Sequence, residues 1–163
     1  MEQLAYRNKH LAGAARLFAG AFAAPPLGYG FITPAGSERY LRDISKKPGF
    51  MGFVYYSGGG MVAFVFGTLD GYHGPGVFAI EEFAVDARLH RGGHGSAALR
   101  MLEETLAAKG VAAISLHTSR KLPAYGFYTK NGYSEVADSV SLAKSLSGDW
   151  SAGAGASGEI QTN

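Results

Sequence analysis

Cysteine is missing from this chain, which removes disulfides, thiolate metal sites and cysteine nucleophiles together. Long apolar runs are missing too: glycine, histidine or a charged residue interrupts every hydrophobic stretch short of the roughly 18 residues a membrane helix needs. The opening Met1-Glu2-Gln3-Leu4-Ala5-Tyr6-Arg7 has none of the basic, apolar and small-residue segments of a secretory leader. A soluble, cytoplasmic protein is the expectation. Nor is there a block of one charge: the net charge is +2 and the fifteen basic residues are scattered, so an extended nucleic-acid footprint is not expected. One local exception stands out. Arg88, His90, Arg91 and His94 crowd together beside glycines, the pattern of a compact anion site.

What is present suits one domain with a substantial core, since 163 residues at 47% hydrophobic content fill one fold and not two. The expected domain runs over 1–144. The segment 147–163, glycine, alanine and serine around a single Trp150, is too poor in apolar residues to order itself and is expected to be a disordered tail. A strand is predicted at 3–7 and a helix from residue 8, where Leu11, Ala14, Ala15, Phe18 and Phe22 recur at helical spacing. Prolines and glycines break the chain over 23–36. A short helix follows at 37–44, with Ser37 as its cap. Strands at 50–56 and 61–69 flank Ser57-Gly58-Gly59-Gly60 and predict a hairpin. A strand at 78–85, a helix at 95–109 closed by Gly110 and a strand at 111–117 describe a βαβ unit. A helix at 122–130 and two strands at 133–136 and 139–142 complete the expected elements.

The centre of the sequence is Val85-Asp86-Ala87-Arg88-Leu89-His90-Arg91-Gly92-Gly93-His94-Gly95-Ser96, a strand passing through glycines into a helix. Glycines let the backbone approach a ligand and turn its N–H groups inward, and the helix start adds partial positive charge, so phosphate is the natural guest. The loop is no Walker loop, because Gly-Lys-Ser/Thr is absent, and it lacks the three-glycine spacing of a dinucleotide site. Standing alone, such a turn is as often an ordinary one without a ligand.

In context the loop resembles that of the GNAT superfamily of acetyltransferases, where a strand and an Asp-containing turn lead into Arg/Gln-x-x-Gly-x-Gly/Ala at the start of a long helix. Gly93 and Gly95 fill the two glycine positions, and His90 stands where the family has Arg or Gln, with Arg91 one residue late. Further along, Ala124-Tyr125-Gly126-Phe127-Tyr128-Thr129-Lys130-Asn131-Gly132-Tyr133 resembles the family's Ala-x-x-x-Tyr-x-x-x-Gly-Phe, with Lys121 at a place often occupied by Asn. The likeness extends loosely from residue 2 to about 144. It implies an α+β GNAT acyl-CoA fold: a mixed, mostly antiparallel sheet flanked by helices, with a splayed βαβ cofactor site. It also implies acetyl-CoA as cosubstrate. Phe83, Ala84 and Val85 would pair with the pantetheine, and His90, Arg91, Gly92, Gly93, His94, Gly95 and Ser96 would cradle the pyrophosphate, with Tyr125 a further contact. Tyr128 would lie near the CoA sulfur and protonate the departing thiolate, a transient need because a thiol at about 8.5 is more acidic than a phenol at about 10.

An alkylamine with a pKa of about 10.4 is nucleophilic at neutral pH in only on the order of one molecule in a thousand, so a base is needed. Glu82, in Ile80-Glu81-Glu82-Phe83-Ala84-Val85, is the residue expected to take that proton, directly or through water. Partial exposure or pairing with Arg88 would account for the two acids without catalysis. In a regular strand Glu81 would face the other side. His73 and His117 are weaker candidates for the base, and His90 and His94 find no carboxylates to complete a metal site, so no metal is predicted. Tyr29, Phe31, Tyr40 and Glu81 are the residues expected to line the acceptor. Tyr40-Leu41-Arg42-Asp43-Ile44 followed by Pro48-Gly49-Phe50-Met51-Gly52-Phe53 is similar to segments of bacterial aminoglycoside 6′-N-acetyltransferases. The leading reading is direct transfer to a primary amine of a small molecule, aminoglycoside-like or polyamine, with the β-strand backbone polarising the thioester carbonyl. A catalytically weak acyl-CoA sensor and a nucleotide-binding α/β protein are the alternatives. Neither nucleic acid nor membrane is an expected partner; a homodimer is left open.

Overall fold

Aromatic and branched residues on both sides of a glycine pair set the central hairpin. In the computed structural model, which describes residues 1–23, 27–29, 32–71 and 76–146, β2 (Phe50–Ser57) and β3 (Gly60–Asp70) pair antiparallel from Ser57↔Gly60 onward. Gly58 and Gly59 both have positive φ, 59° and 80°, as a two-residue turn of the primed type requires. β1 (Glu2–Ala5) lies along β2, and β4 (Val77–Val85) along β3, both antiparallel. The chain then crosses through α3 (His94–Ala108) and returns as β5 (Ala113–Leu116), parallel to β4. The order β1-β2-β3-β4-β5 is a mixed, mostly antiparallel sheet.

β5 pairs only with Val77–Ile80, so the sheet opens beyond Ile80 and the second half of β4 runs past the parallel ladder. α3 stops where expected. Gly110 adopts φ 77°, its N–H bonds Ala107 O, and Val111 N–H bonds Leu106 O, the paired bonds of a Schellman ending.

On one face, α1 (Leu11–Ala23) contributes Leu11, Ala14, Ala15 and Phe18 and α2 (Pro34–Ile44) contributes Leu41 and Ile44, packed on Val54, Phe64, Phe66 and Ala84 of the sheet. Strand alternation sends Phe53, Tyr55 and Val65 to the other face. There α3 buries Ala98, Leu99, Leu102 and Leu106, and Gln3 Nε2 donates to Thr105 Oγ1 at 2.7 Å. The cap of α2 is Thr33 and not Ser37. Thr33 Oγ1 accepts from Gly36 N–H at 3.1 Å, and Pro34 occupies the first turn, where a missing N–H costs nothing. Ser37 lies one turn inside, buried, with its hydroxyl donated to Thr33 O.

His10 is buried in the α1 layer, and its Nδ1 accepts from Arg7 N–H at 3.0 Å, which requires the neutral ring. Burial, aided by the charges of Lys9 and Arg7, holds it below the ordinary 6.5. Because the folded value is depressed, this contribution to stability is complete above about 6.5 and is lost as pH falls through the folded value. The urea midpoint should drop from pH 7 to pH 5, and His10→Asn, which can still accept from Arg7, should flatten that decline.

The compact unit described so far is Met1–Leu116; a second, smaller unit begins at His117. It contains α4 (Pro123–Lys130), with proline in its first turn and Asn131 Nδ2 donating to Phe127 O at its end. The strands expected at 133–136 and 139–142 do not form. Gly132 and Asp138 take positive φ, 91° and 62°, and Val136, Val140 and Leu142 stay exposed without a ladder to satisfy their backbone. The expected tail, 147–163, lies outside the described residues.

Candidate active site

The β3–β4 register is interrupted at one place. Phe66 pairs with Glu82 and Gly67 with Ile80, so Glu81 is the extra residue of a β-bulge. Gly67 is fixed there by space: a Cβ would stand 2.3 Å from Ala79 O and 2.5 Å from the Phe78 ring. The bulge breaks the alternation that would send adjacent side chains to opposite faces. Both carboxylates now meet the same segment of chain, α2 and the turn after it. Tyr40 donates its hydroxyl to Glu82 Oε1 at 2.5 Å, and Lys47 Nζ forms an ion pair with Glu81. Arg88, considered as a partner for these acids, instead pairs with Asp86, with Nη2 to Oδ2 at 2.5 Å and its N–H bonded to Oδ1.

Burial pushes the Glu82 carboxyl up to about 7, with Glu81 adding to the rise and the Tyr40 hydrogen bond and Lys47 opposing it. A carboxylate that titrates near neutrality is matched to proton abstraction at physiological pH. Tyr40 itself stays a donor: burial and then the Glu82 carboxylate raise its phenol well above the ordinary value.

Three residues beyond Glu82 the strand ends at Val85, and Asp86 turns the chain through a 3₁₀ segment, Ala87–Leu89. His90 folds back, its Nε2 3.2 Å from Val85 O, while Arg91, exposed with φ 63°, has no ion-pair partner among the described residues. Gly93 caps α3 with φ 79° and with open space where a Cβ would stand. The first helical bond from this turn is Ala97 N–H to Gly93 O, so the N–H groups of His94, Gly95 and Ser96 precede the ladder. No side chain caps them and no acid lies in the first turn. A helix start of this kind suits an anion, and it lies on the same turn as Arg91. The residues expected to hold the pyrophosphate are thus consecutive around one helix start, which fits a phosphate-bearing cosubstrate. His94 opens the helix, so His90 and His94 do not share a helical face; among the described residues no three metal-ligating side chains converge.

Of the residues expected to line the acceptor, Tyr29 stacks on Phe22 at 6.2 Å; Phe22 meets Phe18 in a tilted pair at 4.3 Å, and Phe18 lies 5.7 Å from Tyr40, an aromatic row leading to the Tyr40–Glu82 bond. Phe31 and His73 lie outside the described residues. In the smaller unit Tyr128 is buried between Phe127 and Tyr133, with ring centroids at 5.1 and 5.4 Å. Tyr125 donates its hydroxyl to Glu135 Oε1 at 3.0 Å, and Arg120 grips the same carboxylate through Nε and Nη2. His117 is exposed. Lys47 as the partner of Glu81, and Arg120 and Glu135 as partners around Tyr125, were not legible in sequence. The Asp86–Arg88 pair was missed as well, although an Asp at a strand end that accepts from the N–H two residues on is an Asx-turn signal that could have found it.

A mixed sheet that opens beside a bulged acidic strand and feeds through glycines into an uncapped helix has the GNAT fold. Residues 20–133 match the model of the Acetyltransferase (GNAT) family, and the chain belongs to that family of acetyltransferases. Solved structures resemble it over most of its length. An apo aminoglycoside 6′-N-acetyltransferase from Acinetobacter haemolyticus is 12% identical, with TM-score 0.66, covering 90% of this chain and 99% of that one. An aminoglycoside acetyltransferase from an uncultured soil metagenomic sample, solved with sisomicin, is 16% identical, with TM-score 0.67 and coverages of 89% and 95%. A transcriptional regulator from Bacillus halodurans is 21% identical, with TM-score 0.65 and coverages of 89% and 99%. At these identities the likeness is one of fold. No curated protein sequence matches the chain.

Proposed function

We propose that this protein is an acetyl-CoA-dependent N-acetyltransferase acting on a primary amine of a small molecule by direct transfer. The observation that carries the reading is Glu82: a carboxylate raised to about 7, on the strand segment where the sheet opens, three residues before the turn into the uncapped helix. Bound acetyl-CoA would supply the activated acetyl thioester. The N–H groups of His94, Gly95 and Ser96, with Arg91, hold its pyrophosphate, and the Phe83–Val85 backbone aligns its arm. Glu82 takes the proton of the acceptor amine, and the CoA sulfur departs as the thiolate; the part of proton donor to that sulfur is the one the family resemblance implies for Tyr128. Fixing amine and thioester in one geometry supplies much of the acceleration. Aminoglycosides belong among the acceptors to be tried because two of the similar structures bear that name.

The test is release of CoA over a panel of aminoglycosides, polyamines, amino acids and peptide N-termini. A thiol-reactive chromophore reads it directly, because the protein has no cysteine of its own to react. Turnover of at least one amine is expected. Stabilisation by acetyl-CoA without turnover of any amine would favour an acyl-CoA sensor, and stabilisation by ATP or NAD but not by CoA would overturn both readings.

A further inference from the structure

We propose that Tyr40 is a positioning residue for Glu82: its hydroxyl fixes one carboxylate oxygen so that the other faces the acceptor amine. The inference rests on Glu82 being the base and assigns the acceptor-side helix a part in that step. Tyr40 Oη lies 2.5 Å from Oε1, and among the described residues Oε2 accepts no hydrogen bond. A carboxylate held at one oxygen has lost rotation about its last bond, leaving the second oxygen as a proton acceptor of fixed direction.

The donor is held as firmly as the acceptor. α2 is anchored by its Thr33 cap and by buried Leu41 and Ile44, and the ring of Tyr40 rests against Phe18. Lys47 ties the same segment to Glu81, so two contacts, one to each residue at the bulge, set α2 against β4. Yet Tyr40 is 46% exposed, unlike its buried neighbours, which places the hydroxyl bond at the edge that an incoming acceptor meets. Among the described residues, the charged and titratable groups around Glu82 are Tyr40 from α2, Lys47 from the following turn and Glu81 from β4 itself, and only Tyr40 bonds the carboxylate. That bond favours the ionised form, so removing it must move Glu82's titration upward.

Tyr40→Phe keeps the ring and its contact with Phe18 and deletes only the donor. The probe is protein labelled with 13C at glutamate carboxyls, the Glu82 resonance being assigned by its loss in Glu82→Gln. Expected in Tyr40→Phe are an upward shift of that titration, an acidic limb of kcat/KM displaced the same way, and kcat at pH 7 lower by roughly two- to tenfold with KM little changed. The deficit should narrow at alkaline pH, where ionisation is recovered, but not vanish, because the fixed direction of the second oxygen is still missing. An unshifted resonance overturns the proposal, as does a raised KM with kcat and pH profile unchanged, which would make Tyr40 an acceptor contact only. A shifted resonance together with full activity in Glu82→Gln overturns the base assignment instead, and with it the place of Tyr40 in the reaction.

Discussion

Glu82→Gln should lower turnover by on the order of 100-fold at neutral pH while leaving the fold and CoA affinity intact. The amide is the same size and its oxygen can still accept from Tyr40, so the contact between α2 and β4 survives and only the proton acceptor is lost. With its carboxyl near 7, the wild-type enzyme should lose rate as pH falls below neutrality. The variant has no such limb; its rate should climb with pH as the amine deprotonates in solution, narrowing the gap. Stability supplies an independent check. A carboxyl raised above its ordinary 4.5 contributes most to the folded state below that value, and the contribution is lost as pH rises through about 7. Gln at 82 removes a carboxylate that is costly to ionise, so at pH 8 the variant should melt no lower than the wild type. Glu81→Gln should act weakly and in the other direction: it removes a neighbouring negative charge and frees Lys47, so the acidic limb should move down. Wild-type pH profiles in both variants would exclude Glu82 as the base.

The parts of the fold legible in the sequence are those set by neighbours along the chain. Gly58-Gly59 between alternating apolar runs specifies its own hairpin, and Leu99, Leu102 and Leu106 followed by Gly110 specify a crossover helix and its end. The glycine turn into α3 was visible for the same reason. The bulge was not, because it exists only in the register between β3 and β4. Its trace in the sequence is Gly67, a residue with nothing to pack in an otherwise largely apolar strand, and such a glycine marks a close backbone approach. Once the bulge is known, Glu81 and Glu82 meet one segment of chain, and regular alternation gives the wrong answer for them.

The side-chain partners were not read from the sequence, and only one of them has a local signal that could have given it. Asp86 with Arg88 is two residues apart and belongs to the turn itself. Lys47 with Glu81 and Tyr40 with Glu82 are 34 and 42 residues apart, and no local rule selects them. Tyr40 was expected on the acceptor side and Glu82 as the base, but the hydrogen bond joining the two residues belongs to tertiary structure. The α2 cap was misread for a more local reason: Ser37 has the right chemistry, yet Thr33-Pro34 has it one turn earlier, with proline preset for the first helical turn.

Gly95→Asp should weaken CoA binding by on the order of 100-fold without unfolding the protein. Gly95 is the second residue of α3, at a helix start with no acidic residue and no side-chain cap. For the fold, an aspartate there is favourable. It meets the positive end of the helix dipole, worth about 0.3–1 kcal/mol, and it replaces a helical glycine that is itself unfavourable by roughly 0.5–1 kcal/mol. For a pyrophosphate on the same N–H groups the sign reverses. Like charges about 4 Å apart repel by about 4 kcal/mol at an effective dielectric of 20, and salt screening reduces this to the stated hundredfold. Gly93→Asp is the less direct experiment, because Gly93 sits at φ 79° and any side chain there adds backbone strain. Gly95→Asn separates bulk from charge, and it should lose much less affinity than the aspartate. Calorimetric titration of CoA into each variant, with melting temperature measured in parallel, gives both signs at once: lower affinity and unchanged or higher stability. The deficit should also shrink as ionic strength rises, which a steric effect would not do. A folded Gly95→Asp protein that binds CoA as the wild type does would remove the pyrophosphate from this helix.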